Sequence, residues 1–117
     1  ALPILTYMLN KLEAAMRCIT ITYQYSGNET PWRAAIDDFL AAIAADPVTA
    51  EGFSYQVAVA DDGVSRIHWG HWDNQDTLKH LQSQDFFKTF SGQVKAFAGD
   101  SLTATGANVV TRTANGW

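Results

Sequence analysis

The sequence predicts an α+β domain of the ferredoxin-like type, in which two helices lie on one face of an antiparallel sheet. Hydrophobic periodicity along the 117 residues gives the element order β-α-β-β-α-β, preceded by an extra N-terminal helix. The Asp62-Gly63 pair lies between two strand-like runs and is a strong hairpin signal. Because this length suits one hydrophobic core, we divide the chain into an amphipathic helical extension, residues 1–15, and a single domain, residues 16–117.

The first elements of the domain follow from residue type and from the signals that begin and end a helix. Residues 16–25 are rich in β-branched and aromatic side chains and predict a strand. Thr30 followed by Pro31 indicates a helix start, and Pro47 marks the end of that helix. Its apolar stripe recurs at helical spacing and consists of Trp32, Ile36, Phe39, Leu40 and Ile43.

The second half of the domain is divided by glycines and by one helix cap. Gly52 opens the second strand, Asn74 caps the helix that follows the hairpin, and Gly99 is a natural helix stop. The predicted elements are, in order, a strand at 53–60, a strand at 65–73, helical pieces at 75–82 and 83–99, and a last strand at 102–112.

Composition and charge exclude several classes of function. Eight Lys and Arg residues against twelve Asp and Glu residues leave a net charge of -4, so nucleic acid and anionic membranes are poor partners. The single cysteine, Cys18, excludes a disulfide framework and a multi-cysteine metal site. No apolar run reaches membrane-spanning length, and the first residues lack a basic leader region, so we expect a cytoplasmic protein.

The alternation along the strands indicates that both faces of the sheet are covered. In residues 53–60, one alternating set is Phe, Tyr, Val and Val, and the other is Ser, Gln, Ala and Ala. A sheet face in contact with water would be more consistently polar. We therefore expect the same sheet of a second subunit to cover this face, which predicts a homodimer formed by sheet-to-sheet packing.

The densest candidate site is the strand SRIHWGHWD at residues 65–73. Side chains alternate along a strand, so His68, Gly70 and Trp72 share one face, and Trp69 and His71 share the other. This geometry disfavours a metal site formed by His68 and His71, and we expect no metal. A glycine inside a strand often marks close approach of another group, so Gly70 between His68 and Trp72 predicts a shallow hollow for a planar ligand. The alternative is that a large side chain from a covering helix fills this hollow as ordinary packing.

Further candidates surround this strand. His80, on the following helix, is either an acid or base directed toward the sheet or a partly exposed histidine without a role. Tyr23 and Tyr55 offer hydroxyl groups from neighbouring strands, and we include them with Trp69 and Gly70 as substrate-binding candidates. The sequence contains no G-x-S-x-G, P-loop or G-x-G-x-x-G motif, so nothing supports acyl transfer or nucleotide binding.

Residues 68–90, HWGHWDNQDTLKHLQSQDFFKTF, resemble the antibiotic biosynthesis monooxygenase-like family. The family pattern is a strand ending in Trp, an acidic helix start, a helix His, a small residue and a second helix with Phe. Its positions here are Trp72, residues 73–76, His80, Ser83 and Phe86–Phe87. The upstream run EGFSYQVAV matches the family's glycine-led second strand, and the resemblance extends from about residue 16 to residue 110.

The resemblance implies a dimeric α+β barrel, in which two sheets face each other and the helices lie outside. Members of the family differ in function. Some are cofactor-independent monooxygenases that oxidise polycyclic phenols to quinones, using an Asn–Trp pair and a Tyr, whereas others degrade haem or act on small signalling molecules. Trp72 matches the family's Trp, whereas His68 stands in place of the Asn. In the haem-degrading branch the axial His would fall near Phe90, which cannot ligate iron, and the pocket Trp would fall near His80. The resemblance therefore disfavours haem degradation of that type and we expect no cofactor, and a haem ligated by His80 is the alternative.

The sequence therefore predicts a cofactor-independent oxygenase-like enzyme acting on a small aromatic or polyketide-like molecule. In this hypothesis His68 or His80 is the catalytic base, Trp72 forms the wall of the pocket, and Tyr55 or Tyr23 donates a hydrogen bond. The alternative is a non-catalytic dimer that binds a small apolar ligand or stabilises a partner.

Overall fold

A computed structural model describes residues 16–114 of the 117-residue chain. The predicted N-terminal helix, within residues 1–15, lies outside the described residues, as do residues 115–117. None of the helices in the described part is long and apolar enough to cross a membrane.

The described chain forms one four-stranded sheet and four α-helices. The sheet order is β2-β3-β1-β4, and every neighbouring pair is antiparallel. This arrangement confirms the predicted α+β, ferredoxin-like fold. The elements are β1 (Arg17–Gln24), α1 (Glu29–Ala45), α2 (Pro47–Gly52), β2 (Phe53–Val59), β3 (Ser65–Trp72), α3 (Gln75–Ser83), α4 (Asp85–Ala98) and β4 (Thr103–Asn108).

Three boundaries differ from the sequence-based expectation. Asn28, not Thr30, caps α1, because its side chain accepts a hydrogen bond from the Thr30 backbone N–H at 2.9 Å. Pro47 begins the short helix α2, since its fixed φ suits a first helical turn. Strand β4 ends at Asn108 rather than near residue 112, because Asn108 pairs with Arg17, the first residue of β1, which is its neighbour in the described sheet.

The predicted hairpin joins β2 and β3. Gly63 has a φ of 75°, a conformation that favours glycine. The Asp62 carboxylate accepts hydrogen bonds from the backbone N–H groups of Val64 and Ser65, each at 2.8 Å. The Ser65 hydroxyl also donates to this carboxylate, and together these bonds lower the pKa of Asp62 to about 2. The loop thereby fixes the register of the central strand β3, which carries the candidate site.

The register places the helix-facing side chains of the sheet in rows. Arg17, Trp72 and Phe53 form one row, and Ile19, Gly70 and Tyr55 form the next. The core lies between these rows and the helices. Its buried helical members are Trp32, Ile36, Phe39, Ile43, Leu81, Phe90, Val94 and Ala98.

Arg66 ties the start of α1 to the sheet although its side chain is completely buried. Its guanidinium donates to both carboxylate oxygens of Glu29, at 2.8 and 2.5 Å, and to the Tyr25 backbone carbonyl at 2.9 Å. The guanidinium carbon also lies 4.4 Å from the centre of a Trp32 ring. A buried cation needs such compensation, and the result is a fixed position for Trp32 beside the candidate site.

Candidate active site

A cavity of about 370 Å³ lies between the helix-facing side of the sheet and helices α1, α3 and α4. Its walls are predominantly apolar, and its volume lies within the range of small-molecule sites. The apolar and aromatic lining residues are Ile19, Ile21, Phe39, Phe53, Tyr55, Trp72, Leu78, Leu81, Phe87, Phe90, Val94 and Leu102.

Aromatic rings stack along one wall of the cavity. Phe53 lies between Trp72 and Tyr55, with ring centres 6.3 and 5.8 Å away and interplanar angles of 17° and 19°. Phe39 and Phe90, also in the lining, stack on each other at 3.9 Å. Walls of flat rings suit a planar aromatic ligand, which would gain stacking contacts on entering.

His68 lies behind this wall and is completely buried. Its Nε2 atom is 2.8 Å from the Tyr23 hydroxyl, and its Nδ1 atom is 2.6 Å from the Tyr55 hydroxyl. Burial disfavours the charged ring and lowers the pKa of His68 to about 4. The imidazole is therefore neutral near pH 7, with one ring nitrogen as a donor and the other as an acceptor.

Hydrogen-bond accounting selects the tautomer. Trp32 Nε1–H can only donate, and it donates to the Tyr23 hydroxyl oxygen at 2.8 Å. Among the described residues, the acceptor for the Tyr23 hydroxyl hydrogen is then His68 Nε2. Nε2 carries no hydrogen in this arrangement, so Nδ1–H donates to the Tyr55 hydroxyl oxygen. The opposite direction would leave the buried Tyr23 hydrogen without an acceptor, at a cost of about 1–3 kcal/mol.

The chain of hydrogen bonds from Trp32 through Tyr23 and His68 ends at Tyr55, which lines the cavity. In this direction the hydroxyl hydrogen of Tyr55 has no acceptor among the hydrogen bonds of the described residues. Burial, and to a lesser extent the neighbouring Tyr23, raise the pKa of Tyr55 above its ordinary value. This hydroxyl is therefore a neutral donor throughout the physiological pH range.

Trp72 carries a second polar hydrogen that is unpaired within the described chain, beside the cavity. Its side chain lines the cavity and is 6% exposed. Its buried Nε1–H has no hydrogen-bond partner among the residues that the structure describes. A buried N–H without a partner is unusual and is a feature of sites that receive a ligand or a water molecule.

Gly70 does not line the cavity, because the rings of β2 cover it. A Cβ atom at this position would lie 3.0 Å from Tyr55 Cδ1 and 3.2 Å from Phe53 Cζ. The predicted hollow is therefore occupied by these two aromatic rings, and the glycine allows Tyr55 to lie close to β3.

The other predicted residues lie farther from the cavity. Tyr23 is 2% exposed and lies behind the wall, between Trp32 and His68. Trp69 lies on the opposite sheet face, as strand alternation predicts, and lines a separate cavity of about 150 Å³ together with Cys18 and His71. The structure therefore does not bring Trp69 together with Trp72.

His80 is also separate from His68. Its Nε2 atom lies 2.8 Å from Asp46 Oδ2, at the junction of α1 and α2, and the Thr49 hydroxyl donates to the same carboxylate oxygen. Burial acts to raise the pKa of Asp46, but these hydrogen bonds outweigh it and the pKa is lowered. His80 is not among the cavity-lining residues, and its observed contact joins α3 to that junction. Its role as a base stays a prediction.

Sequence reasoning missed two cationic residues that line the cavity, Arg17 and Lys95. The sequence contains patterns that could have identified both residues. Strand alternation places Arg17 on the same face as Ile19, and helical spacing places Lys95 four residues after Ser91, which also lines the cavity. Within residues 16–114, no group of three His, Cys, Asp or Glu side chains could hold a metal ion.

Several solved structures share this architecture. A protein assigned to the antibiotic biosynthesis monooxygenases, from Caulobacter crescentus, has a TM-score of 0.68 at 17% identity, over 90% of this chain and 99% of that chain. SnoaB, a cofactor-independent oxygenase from Streptomyces nogalater, has a TM-score of 0.61 at 15% identity, over 87% of this chain and 98% of that chain. The chain has the antibiotic biosynthesis monooxygenase-like fold.

The antibiotic biosynthesis monooxygenase-like fold that residues 68–90 predict is thus confirmed. The same fold also occurs in a hydroxynitrile lyase from Passiflora edulis, with a TM-score of 0.65 at 6% identity, over 86% of this chain and 98% of that chain. No family model and no curated protein matches the sequence. Because one fold supports different reactions, the function of this chain has to be argued from its own cavity.

Proposed function

We propose that the chain is a cofactor-independent monooxygenase-like enzyme that oxidises a small aromatic or polyketide-like molecule. The observation that carries this proposal is an apolar, aromatic-walled cavity lined by Tyr55 and Trp72, whose hydroxyl and indole N–H hydrogens have no acceptor among the described residues. Donors held in a water-poor site stabilise negative charge far better than the same groups in water.

The proposed reaction uses the substrate as its own reductant. The anion of an anthrone-type phenol transfers electrons to O₂, and a ring CH₂ group becomes a ring carbonyl. The balance is CH₂ + O₂ → C=O + H₂O, so one oxygen atom stays in the product and the other is reduced to water. The chain's part is to bind the anion, to exclude water and to hold the donors against the charged oxygen.

In this proposal His68 is a positioning residue rather than the base. Both of its ring nitrogens are engaged by tyrosines, and a pKa of about 4 is too low to retain a proton taken from a phenol. The substrate therefore enters as its anion after losing its proton to solvent. His68 keeps the Tyr55 hydroxyl directed as a donor, and Trp72 provides the second donor.

The test is oxygen uptake by the purified protein with anthrone as the substrate. We expect uptake that rises with pH as the substrate ionises. Tyr55→Phe should lower kcat by about a hundredfold, the effect typical of removing one donor to a developing anion, and Trp72→Phe should lower it in the same direction. The matched control is Tyr25→Phe, because the Tyr25 hydroxyl bonds to the Asn28 carbonyl and Tyr25 does not line the cavity. Absence of uptake by the unmodified protein, or equal rates in all three variants, would contradict the proposal.

A second candidate is a non-catalytic protein that binds a small aromatic ligand. The observation in its favour is that, in the part of the chain that the structure describes, no carboxylate and no histidine lines the cavity. This candidate predicts saturable binding of aromatic ligands without oxygen consumption, so calorimetry and oxygen uptake on the same sample separate the two functions.

We also propose that the chain forms a homodimer through the sheet face opposite the helices. That face carries Ile67 and Trp69, which are half-buried, and none of the described helices packs on it. A second copy of the same sheet would remove these apolar side chains from water.

A further inference from the structure

We infer that the ligand of the cavity is an aromatic acid whose carboxylate binds Arg17 and Lys95. This inference rests on the proposed function and adds the substrate class. Among residues 16–114, two cationic side chains and no acidic side chain line the cavity. In a chain with a net charge of -4, this local surplus of positive charge favours an anionic ligand at this site.

Arg17 is held at one end of the aromatic wall. It is directly opposite Trp72 in the ladder between β1 and β3, and its Nη1 atom donates to Asn108 Oδ1 at 2.9 Å. A Cβ atom at Gly106 would lie 3.1 Å from Arg17 Nη2, so the glycine lets the guanidinium lie across β4. The Asn108 amide orients the guanidinium without neutralising its charge.

Lys95 supplies a second positive charge from α4. Its side chain is exposed, and neither Lys95 nor Arg17 forms an ion pair with any residue that the structure describes. By contrast, Arg33 is paired with Asp37, and Arg66 is paired with Glu29. The cations at the cavity are thus available to a ligand.

The hydrogen-bond donors of the lining residues lie toward two different ends of the cavity. Arg17 and Trp72 lie in one row of the sheet, and Tyr55 lies in the next row, where its hydroxyl bonds to His68 of the third row. A ligand with a carboxylate at the Arg17 end and a hydroxyl or carbonyl oxygen near Tyr55 would use both sets of groups. A ligand with these groups at its two ends is a hydroxylated polycyclic or bicyclic carboxylic acid.

The experiment compares two probes by isothermal titration calorimetry with the full chain: 6-hydroxy-2-naphthoate and 2-naphthol, which lacks the carboxylate. We expect the carboxylate probe to bind more tightly than 2-naphthol. Added salt should weaken the binding of the carboxylate probe and not that of 2-naphthol. The double variant Arg17→Met/Lys95→Met should lower the affinity for the carboxylate probe by about tenfold, as for two exposed ion pairs. The same variant should change the affinity for 2-naphthol by no more than about twofold. This retained binding also shows that the variant folds.

Two further variants distinguish a specific site at Arg17 and Lys95 from a general attraction between the protein's positive charges and the anionic probe. Lys79→Met/Lys88→Met removes the same charge from exposed positions outside the cavity and should leave both affinities unchanged. Gly106→Val keeps every charge but displaces the Arg17 guanidinium, and it should weaken only the carboxylate probe by a few-fold.

Equal affinity for the two probes, or an equal loss in the Lys79→Met/Lys88→Met control, would overturn the inference. If 2-naphthol still binds and anthrone is still oxidised in that case, the proposed function stands without the aromatic-acid class. If neither probe binds, the inference fails, and if anthrone is not oxidised either, the proposed function fails with it.

Discussion

The imidazole of His68 is neutral because it has no contact with water and meets a hydroxyl group at each ring nitrogen. Protonation would place a charge in a buried site where none of the described carboxylates pairs with the ring, and this burial lowers the pKa of His68 to about 4. The neutral state of the ring fixes the direction of the hydrogen bonds on either side of it. A neutral ring that accepts at Nε2 must donate at Nδ1, and the direction of every hydrogen bond up to Tyr55 follows from the single indole N–H of Trp32.

The first prediction concerns the tautomer of His68. Long-range ¹H–¹⁵N NMR of the labelled protein at pH 7 should show hydrogen on Nδ1 and none on Nε2. In Tyr23→Phe, Nε2 loses its hydrogen-bond donor, so the ¹⁵N chemical shift of Nε2 should move toward that of an unbonded ring nitrogen, while the hydrogen stays on Nδ1 and bonds to Tyr55. Observation of hydrogen on Nε2 in the unmodified protein would refute the proposed direction. The spectra of His71 and His80 serve as internal controls.

The second prediction is a loss of stability in weak acid. The unfolded chain takes up a proton on His68 below about pH 6.5, whereas the folded chain does so only near pH 4. The contribution of neutral His68 to the free energy of unfolding is therefore present above pH 6.5 and is lost as the pH falls toward 4. Its size is roughly 3 kcal/mol.

Urea unfolding from pH 4.5 to 7.5 measures this loss. His68→Gln removes the titrating group and should flatten the profile, although its stability at pH 7 is lower. His71→Asn, on the opposite sheet face, keeps His68 and should retain most of the slope. An unchanged slope in His68→Gln would show that other groups cause the acid sensitivity.

At the scale of the elements, β3 positions the candidate site, because its two faces carry different kinds of side chain. The helix-facing row carries His68 and Trp72, and the glycine between them accommodates the rings of Tyr55 and Phe53 from β2. Strand alternation alone predicted that His68, Gly70 and Trp72 share a face, since the period of a strand is fixed by its backbone. What covers Gly70 depends on the side chains of the neighbouring strand, and this became clear only from the register.

The third prediction compares two glycines. Gly70→Ala places a methyl group 3.0 Å from the Tyr55 ring and should destabilise the protein by about 1–3 kcal/mol as an overpacked core. Gly92→Ala, within α4 and with no atom within 4 Å of the added Cβ, should stabilise the protein by up to about 1 kcal/mol. Urea unfolding of both variants measures the difference. A neutral Gly70→Ala variant would show that the Tyr55 ring moves away without cost.

Helix placement was harder to predict than strand placement. The sequence pattern placed His80 on a helix, but the pattern does not give the position of that helix relative to Asp46, which lies 34 residues earlier. The contact between them belongs to the packing of α3 against the α1–α2 junction. Pro47 likewise predicted the end of α1 but not α2, since proline both ends one helix and suits the first turn of another.

At the scale of the whole molecule, the sheet has one face covered by helices and one face without a described cover. The covered face holds the cavity, and the other carries Trp69 and Ile67 among Thr, Ser and Gln side chains. The proposed homodimer would place the two uncovered faces together and leave both cavities on the outside of the joined sheets.

The fourth prediction tests this assembly by light scattering at micromolar concentration. The unmodified chain should have twice the mass of the 12.8 kDa monomer. Trp69→Glu would bury a charge at the proposed interface and should give a monomer. Val48→Glu, at a position 49% exposed on α2, should leave the dimer intact. A monomer for the unmodified chain, or loss of the dimer in both variants, would argue against sheet-to-sheet packing.

The sequence by itself determined the order of the elements, the hairpin at Asp62-Gly63 and the common face of His68, Gly70 and Trp72. These features depend on local backbone periods and turn residues, which a single chain segment specifies. Only the tertiary structure decided that Tyr23 and Tyr55 enclose His68, that the Trp72 indole N–H is left without a partner, and that Arg17 and Lys95 line one cavity. Each of these facts joins residues of different elements, so it depends on register, helix position and burial rather than on spacing along the chain.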